Sequence, residues 1–290
     1  MKTLQNYIKE SILDDIDTQL KKGDNVIKDE IKTFLKANYT GTFEISKKPN
    51  ADGLYEVSSK KDVELHKYSN LTSLTNKLFK FTRVLGSFNC SYCPSLESLE
   101  GAPEYVGTYF ICADCRSLTS LKGGPKTVEK TYNCAECKSL ESLEGAPEYV
   151  GENFYCSNCG SLKSLEGAPK KVVGSFNCSY CDSLTSLKGA PKEIGCNFYC
   201  NECNYLTTLK GAPEKVGMHC ICNYNKSLKT LDGAPKKVGV DFECRGCSSL
   251  ELLDGAPKKV GRDFDCRSCK TKFTKEDVKK VSNVKGEIKC

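Results

Sequence analysis

The sequence predicts an α+β protein whose body is a parallel β-solenoid of about nine to ten 22-residue units, closed by a small N-terminal α+β cap and a C-terminal helical cap. Three observations predict it. Nine cysteines, Cys90, Cys112, Cys134, Cys156, Cys178, Cys200, Cys222, Cys244 and Cys266, are each 22 residues apart. The residues around them alternate apolar and polar, as a strand with one buried face does. The segments on either side of this run depart from the period, as ends that must cover an open core do.

Within residues 88–269 the frame reads F-x-C-x-x-C-x-S-L-x-S-L-x-G-A-P-x-x-V-G-x-x. Phe88 and Cys90 point inward while Asn89 and Ser91 point outward, which makes a short strand. Leu96 and Leu99, three apart, follow on a tight curve. Gly101-Ala102-Pro103 breaks the chain direction, and Val106-Gly107 returns it to the next strand. Each unit is thus expected to hold one strand plus irregular turns, stacked into one long parallel sheet. At about 4.8 Å per strand, roughly ten units make a rod about 50 Å long.

Residues 63–87 are a degenerate capping repeat: Val63, Leu65, Tyr68, Leu71 and Leu74 echo the frame without its cysteines. Residues 1–62 form a different, α+β region. Leu4, Ile8, Ile12, Ile16 and Leu20 lie four apart on one helical stripe. Gly23-Asp24 ends that helix and begins another, with Ile27, Ile31, Phe34 and Leu35 on its inner face. Phe43, Ile45, Tyr55 and Val57 flank the turn 49–53 and predict a hairpin. A unit of this size is marginal alone, so docking on the first repeat is expected. Residues 270–290 form the C-terminal cap. Thr274-Lys275-Glu276-Asp277 is a capping-box sequence, Phe273 and Val278 are placed for a hydrophobic staple, and a helix of about 274–281 follows. Ile288 and Cys290 then resume the strand pattern.

Composition narrows the class. The chain has 290 residues, 20 Cys, 2 His and no Trp, with 39% hydrophobic and 28% charged residues. That balance fits a folded, water-facing protein. No run approaches 18 apolar residues, and the first 25 residues carry charges throughout, so neither a membrane span nor a secretory leader is predicted. Cysteine at this density without a leader points to thiols kept reduced in a cytoplasm. Only His66 and His219 are available for histidine chemistry. No G-x-S-x-G, G-K-[ST], G-x-G-x-x-G or H-E-x-x-H occurs, so a non-enzymatic protein is expected.

The F-x-C-x-x-C-x-S-L core is similar to the leucine-rich repeat, L-x-L-x-x-N/C-x-L. Phe88 and Cys90 fall on the strand leucines, Cys93 on the Asn/Cys ladder position, and Leu96 close to the following leucine. The match covers residues 88–269. It departs by one added residue before Leu96 and by Val-Gly in place of the upstream leucine. The whole repeat, S-L-E-G-A-P-E-Y-V-G, most resembles uncharacterised leucine-rich-repeat proteins of bacteriophages and gut bacteria. The resemblance implies a solenoid, is compatible with a phage origin, and brings no activity.

Eight C-x-x-C pairs carry the strongest chemical signal, because pairs 18 residues apart match four-cysteine zinc spacing. A ladder of buried core thiols fits better, and no cofactor or metal is expected. The first cysteine of each pair sits on the inward face. The seventh unit holds Asn225 where the others hold the second cysteine, and asparagine is a poor zinc ligand but a good partner for turn backbone. Cys220 stands where Phe stands elsewhere. Tetrahedral zinc also needs sulfurs roughly 3.8 Å apart, while stacked equivalents start near about 4.8 Å. Cys196 lies outside the ladder and is expected to be an exposed thiol.

Function is expected on the outward positions, which vary from unit to unit. The candidate partner-binding residues are Tyr109, Ile111, Asn133, Asn153, Tyr155, Asn177, Asn197, Tyr199, His219 and Ile221. Tyr and Asn supply large contacts and adaptable hydrogen bonds, which suits a protein or peptide partner rather than a small-molecule substrate. If the phage resemblance holds, a host or defence protein is the target. Charge is uneven: residues 170–290 hold 22 basic and 14 acidic residues, net +8. Part of this excess follows the repeat proline as a stripe, Lys170, Lys171, Lys192, Lys215, Lys236, Lys237, Lys258 and Lys259. Such a stripe suits an acidic protein or nucleic acid. Nucleic acid is the weaker reading, because the stripe is all lysine and no aromatic interleaves it in that half. A zinc-binding C-x-x-C module touching nucleic acid through the lysines, and a purely structural spacer, are the rival readings.

Overall fold

The computed structural model describes residues 23–290, so the expected helical stripe from Leu4 to Leu20 lies outside the described residues. The chain winds as a ladder of short strands in two sheets of twelve strands each, parallel throughout the repeats. In the first sheet each unit contributes the aromatic and its successor, Phe88–Asn89, Phe110–Ile111, Tyr132–Asn133 and onward. In the second each contributes the valine and its predecessor, Tyr105–Val106, Thr127–Val128, Tyr149–Val150 and onward. The expectation of one strand per unit is therefore corrected to two. The second strand has only two residues, and a single inward valine gives no alternation to read. Stacking 22 residues later supplies its neighbours and its hydrogen bonds.

The register never slips between the units of residues 88–269. Phe88 faces Phe110, Tyr132 faces Phe154 and Phe242 faces Phe264. The rings stack along the core at centroid distances of 5.9 Å (Phe88–Phe110), 4.9 Å (Phe110–Tyr132) and 5.2 Å (Phe154–Phe176). The inward cysteines, the two leucines and the valine of each unit form parallel rows beside them, all fully or nearly fully buried. Cys220, in place of Phe, interrupts the aromatic row in the seventh unit. Truncating any of these large side chains costs about 2–5 kcal/mol.

A backbone corner lies between the paired cysteines. Tyr92, Asp114, Glu136, Asn158, Tyr180, Glu202 and Tyr224 all sit there at positive φ, and Gly246 takes the same place in the eighth unit. Each N–H at this corner reaches the next unit, as Tyr92 does to the Ala113 carbonyl at 2.9 Å. The left-handed turn swings the second cysteine back into the core. Repetition of the inter-unit bond holds a conformation that L-residues otherwise disfavour.

The ends close the core. Helix α1 (Asp24–Asn38) buries Ile27, Ile31 and Leu35 in the same core as the repeats. Strand β1 (Tyr39–Thr40) pairs antiparallel with β4 (Val63–Leu65) at the start of the first sheet. The expected hairpin forms between β2 (Glu44–Ile45) and β3 (Tyr55–Ser59), with Ile45 opposite Val57. β3 pairs parallel with β5 (Phe79–Val84), so the second sheet already begins within residues 1–62. At the far end, helix α2 (Lys275–Val281) carries the expected capping box: Asp277 N–H donates to the Thr274 hydroxyl, and the Asp277 carboxylate accepts from the Thr274 N–H. The strand Ile288–Lys289 then adds to Phe264–Asp265. No described helix is long and apolar enough to cross a membrane.

Candidate functional site

The outward column of the first sheet reads Asn89, Ile111, Asn133, Tyr155, Asn177, Tyr199, Ile221, Glu243 and Asp265, strand by strand in register. The asparagines are held by their own turns. Asn133 Oδ1 accepts the Ala135 N–H at 3.0 Å, and Asn177 Oδ1 accepts the Ser179 N–H at 2.9 Å. Ile111, Tyr155, Tyr199 and Ile221 have no such bond, and neither phenol takes part in a hydrogen bond among the described residues. Burial and the neighbouring Tyr199 raise the Tyr155 phenol above its ordinary pKa, which keeps it a neutral donor. From Asn89 to Tyr199 the column is therefore a row of fixed amides alternating with large side chains free to meet a partner, and Ile221 follows Tyr199 directly.

The column two residues earlier behaves differently. The Thr131 hydroxyl accepts from Asn153 Nδ2 at 3.4 Å. Asn153 Oδ1 accepts the Ser175 N–H at 2.8 Å, the Ser175 hydroxyl accepts the Asn197 N–H at 3.3 Å, and Asn197 Oδ1 accepts the His219 N–H at 3.1 Å. His219 Nδ1 lies 3.0 Å from an Asp241 oxygen, and Asp241 accepts the Asp263 N–H at 3.1 Å and the Arg262 guanidinium. Burial pushes the Asp241 carboxyl up, but Arg262, the Asp263 N–H and His219 outweigh it and hold the group below the usual carboxylate range. Asn153, Ser175, Asn197 and Asp241 serve the backbone of the next unit, while Thr131 and His219 meet a side chain of the next unit. Asn153, Asn197 and His219, candidates for contact, are thus rungs of a polar ladder. Tyr109 is the exposed member of the column, 40% accessible, with Lys130 Nζ 5.8 Å from its ring. The signal in the sequence was residue type: Thr, Asn, Ser, Asn and Asp are the side chains that bond nearby backbone most readily.

The lysine stripe lies on the outer face of the second sheet. Lys170 pairs with Glu148 at 2.5 Å, Lys215 with Glu193 at 3.4 Å and Lys236 with Glu214 at 3.1 Å, each reaching back one unit. Lys171 lies over the Tyr149 ring at 5.8 Å. Lys192, Lys237, Lys258 and Lys259 have no ion pair among the described residues. Sequence reading placed all eight together; it did not separate the neutralised ones from the rest.

The cysteines form the expected ladder. From the second unit on, the second thiol donates to the carbonyl of the first cysteine one unit back: Cys115 to Cys90 at 3.1 Å, Cys137 to Cys112 at 3.1 Å, Cys203 to Cys178 at 3.3 Å. Asn225 does the same with its amide, donating to the Cys200 carbonyl at 3.0 Å and the Cys222 carbonyl at 2.8 Å while accepting the Cys203 N–H at 2.7 Å. Burial pushes the thiols of Cys90, Cys134, Cys156, Cys178, Cys200 and Cys222 well above their ordinary range, and those of Cys181 and Cys247 up to about 12. Such thiols stay protonated and inert. Cys269 differs: half-buried, it is held below its ordinary value by its contact with Cys244. Cys196 is also half-buried, and Cys290 is exposed, 3.5 Å from the Cys266 sulfur. Among the described residues no three His, Cys, Asp or Glu side chains are grouped to hold a metal ion.

Comparison with protein-family models, with curated proteins and with solved structures finds no match to this chain.

Proposed function

We propose that this chain is a non-enzymatic binding scaffold of leucine-rich-repeat type, which captures a protein partner on the outward face of its first sheet. The observation that carries the reading is the column Ile111, Tyr155, Tyr199 and Ile221, whose first three members are separated by Asn133 and Asn177, amides already held by their own turns. A rigid backbone presents two tyrosines two strands apart, about 9.6 Å from the strand spacing, with apolar isoleucines on either side. Tyrosine offers large contact area at low entropic cost, and interfaces concentrate their energy in such residues. The buried, protonated thiols support operation in a reducing cytoplasm. On the resemblance of the repeat alone, the reading extends to a phage protein acting on a host or defence protein.

The test compares the full chain with the Tyr155→Ala/Tyr199→Ala variant as bait for proteins of a bacterial lysate. The specific partner should bind the variant about tenfold more weakly or worse, while the melting temperature stays within about 2 °C. Equal capture by both overturns the strand-face reading.

A further inference from the structure

We infer that the second sheet carries a separate docking site for an acidic polypeptide segment, centred on Lys237, Lys258 and Lys259. The outward column of this sheet runs Tyr105, Thr127, Tyr149, Lys171, Glu193, Lys215, Lys237 and Lys259, strand by strand. The column beside it runs Glu104, Lys126, Glu148, Lys170, Lys192, Glu214, Lys236 and Lys258. Up to Glu214 acids and lysines are interspersed. Lysines lean back on the previous unit's carboxylate, Lys126 on Glu104 at 3.3 Å and Lys236 on Glu214 at 3.1 Å among them.

After Glu214 neither column contains an acid. Lys237 then stands directly opposite Lys215 on one side and Lys259 on the other. Like charges facing each other on neighbouring strands repel, at a strand separation of about 4.8 Å. The carboxylates in the adjoining turns do not relieve this. Asp232 is paired with Lys210 at 3.0 Å, Asp241 is held by Arg262, and Asp254 makes no ion pair with Lys258 or Lys259. The cluster thus has a charge demand that the fold leaves unmet, while the same two columns meet it in the preceding units. A ligand supplying several carboxylates within a few ångströms of one another meets it.

Two observations favour a polypeptide over a nucleic acid. The three arginines of these units are engaged elsewhere: Arg245 with Glu243, Arg262 with Asp241 and Arg267 with Asp265. The forked guanidinium faces of Arg262 and Arg267 are thus occupied by carboxylates, and Arg245 is turned to Glu243 on the first sheet. The aromatics of this face, Tyr105 and Tyr149, belong to the opposite end, so bases have no stacking platform beside the lysines. The site lies on the other sheet from the strand-face surface and does not rest on that reading.

The experiment measures binding of fluorescent poly-L-glutamate, and of single- and double-stranded DNA oligonucleotides, to the full chain at low salt. It compares the wild type with Lys237→Gln/Lys258→Gln/Lys259→Gln and with a control, Lys122→Gln/Lys126→Gln/Lys130→Gln, that removes the same charge from units where each lysine has a carboxylate partner. We expect poly-L-glutamate to bind the wild type, to bind the first variant about tenfold more weakly, and to bind the control within about twofold of wild type. Binding should vanish in about 0.5 M salt. Poly-L-glutamate should also raise the melting temperature of the wild type and not of the first variant, a readout on the native chain that serves even if that variant is impaired in folding. No binding of poly-L-glutamate, equal loss in both variants, or DNA binding tighter than poly-L-glutamate would each overturn the proposal.

Discussion

Two columns of polar residues run side by side along the first sheet, two residues apart in the chain, and they do opposite things. Asn153, Ser175, Asn197 and Asp241 turn along the axis and accept the N–H of the next unit. Tyr155 and Tyr199, two residues after Asn153 and Asn197, make no such bond and face outward. Both columns vary from unit to unit, so variability alone does not mark a binding face. What separates them is whether the side chain is short enough to reach the backbone beside it and polar enough to be useful there.

The largest loss is expected from Asn225→Ala, which breaks a side chain engaged with backbone in the buried cysteine ladder. The side chain is fully buried and serves Cys203 N–H and the carbonyls of Cys200 and Cys222. Its loss should cost about 3 kcal/mol or more, since several buried groups lose their partner together. Asn225→Cys restores the thiol used by the other units and should recover at least half of that loss in denaturant titrations. If Ala and Cys were equally destabilising, the ladder account of this column would fail.

Next in size are Asn153→Ala and Asn197→Ala, each expected to cost about 1 kcal/mol through the lost acceptor. Tyr199→Ala should stay within about 0.5 kcal/mol of wild type. Chemical unfolding of the three variants measures the contrast directly, and similar losses in all three would erase the distinction between the columns.

A finer test uses the core beneath. Tyr132 replaces the usual Phe, and its hydroxyl is buried without a hydrogen-bond partner. In the preceding unit Gly124 replaces the usual Ala; a methyl there would lie 3.2 Å from that hydroxyl and 2.9 Å from the Leu121 carbonyl oxygen. The two departures compensate. Tyr132→Phe should be neutral or stabilising by up to about 1 kcal/mol. Gly124→Ala should be worse alone than in the Tyr132→Phe background, so a double-mutant cycle should show coupling of about 0.5 kcal/mol or more.

The smallest effect concerns acid. Asp241 has its folded pKa below the unfolded value, so its contribution is present above about pH 4 and is lost as pH falls through the folded pKa. Asp241→Asn should flatten the decline of stability below about pH 4. An unchanged profile would mean that the Arg262 and His219 contacts do not hold in solution.

Much of the fold was legible because cysteine, phenylalanine and leucine recur at one fixed spacing, and a fixed spacing forces stacking. The capping box at Thr274 and the hairpin around 49–53 were legible from local rules that involve only neighbours in sequence. The second strand was not legible, since Val106 and its equivalents are single apolar residues whose partners arrive only through stacking. The candidate site was read by residue class and exposure. Which asparagines were engaged, and which lysines lacked a carboxylate, depended on what stood 22 residues away. Laying the units beneath one another exposes both: Glu148 above Lys170, but Lys236 above Lys258.

The unbroken register has a metric consequence. Each unit advances the axis by one strand spacing, about 4.8 Å, so distances along the molecule come in fixed increments. Tyr155 and Tyr199 are two increments apart, and the strands of Lys237 and Lys259 belong to the first and second units after that of Tyr199. Excising one complete 22-residue unit between Tyr199 and Lys237 would shorten that separation by one graduation while leaving the chemistry at either mark intact. The chain is graduated like a ruler, and changing the number of its divisions changes the separation between its marks without redrawing any of them.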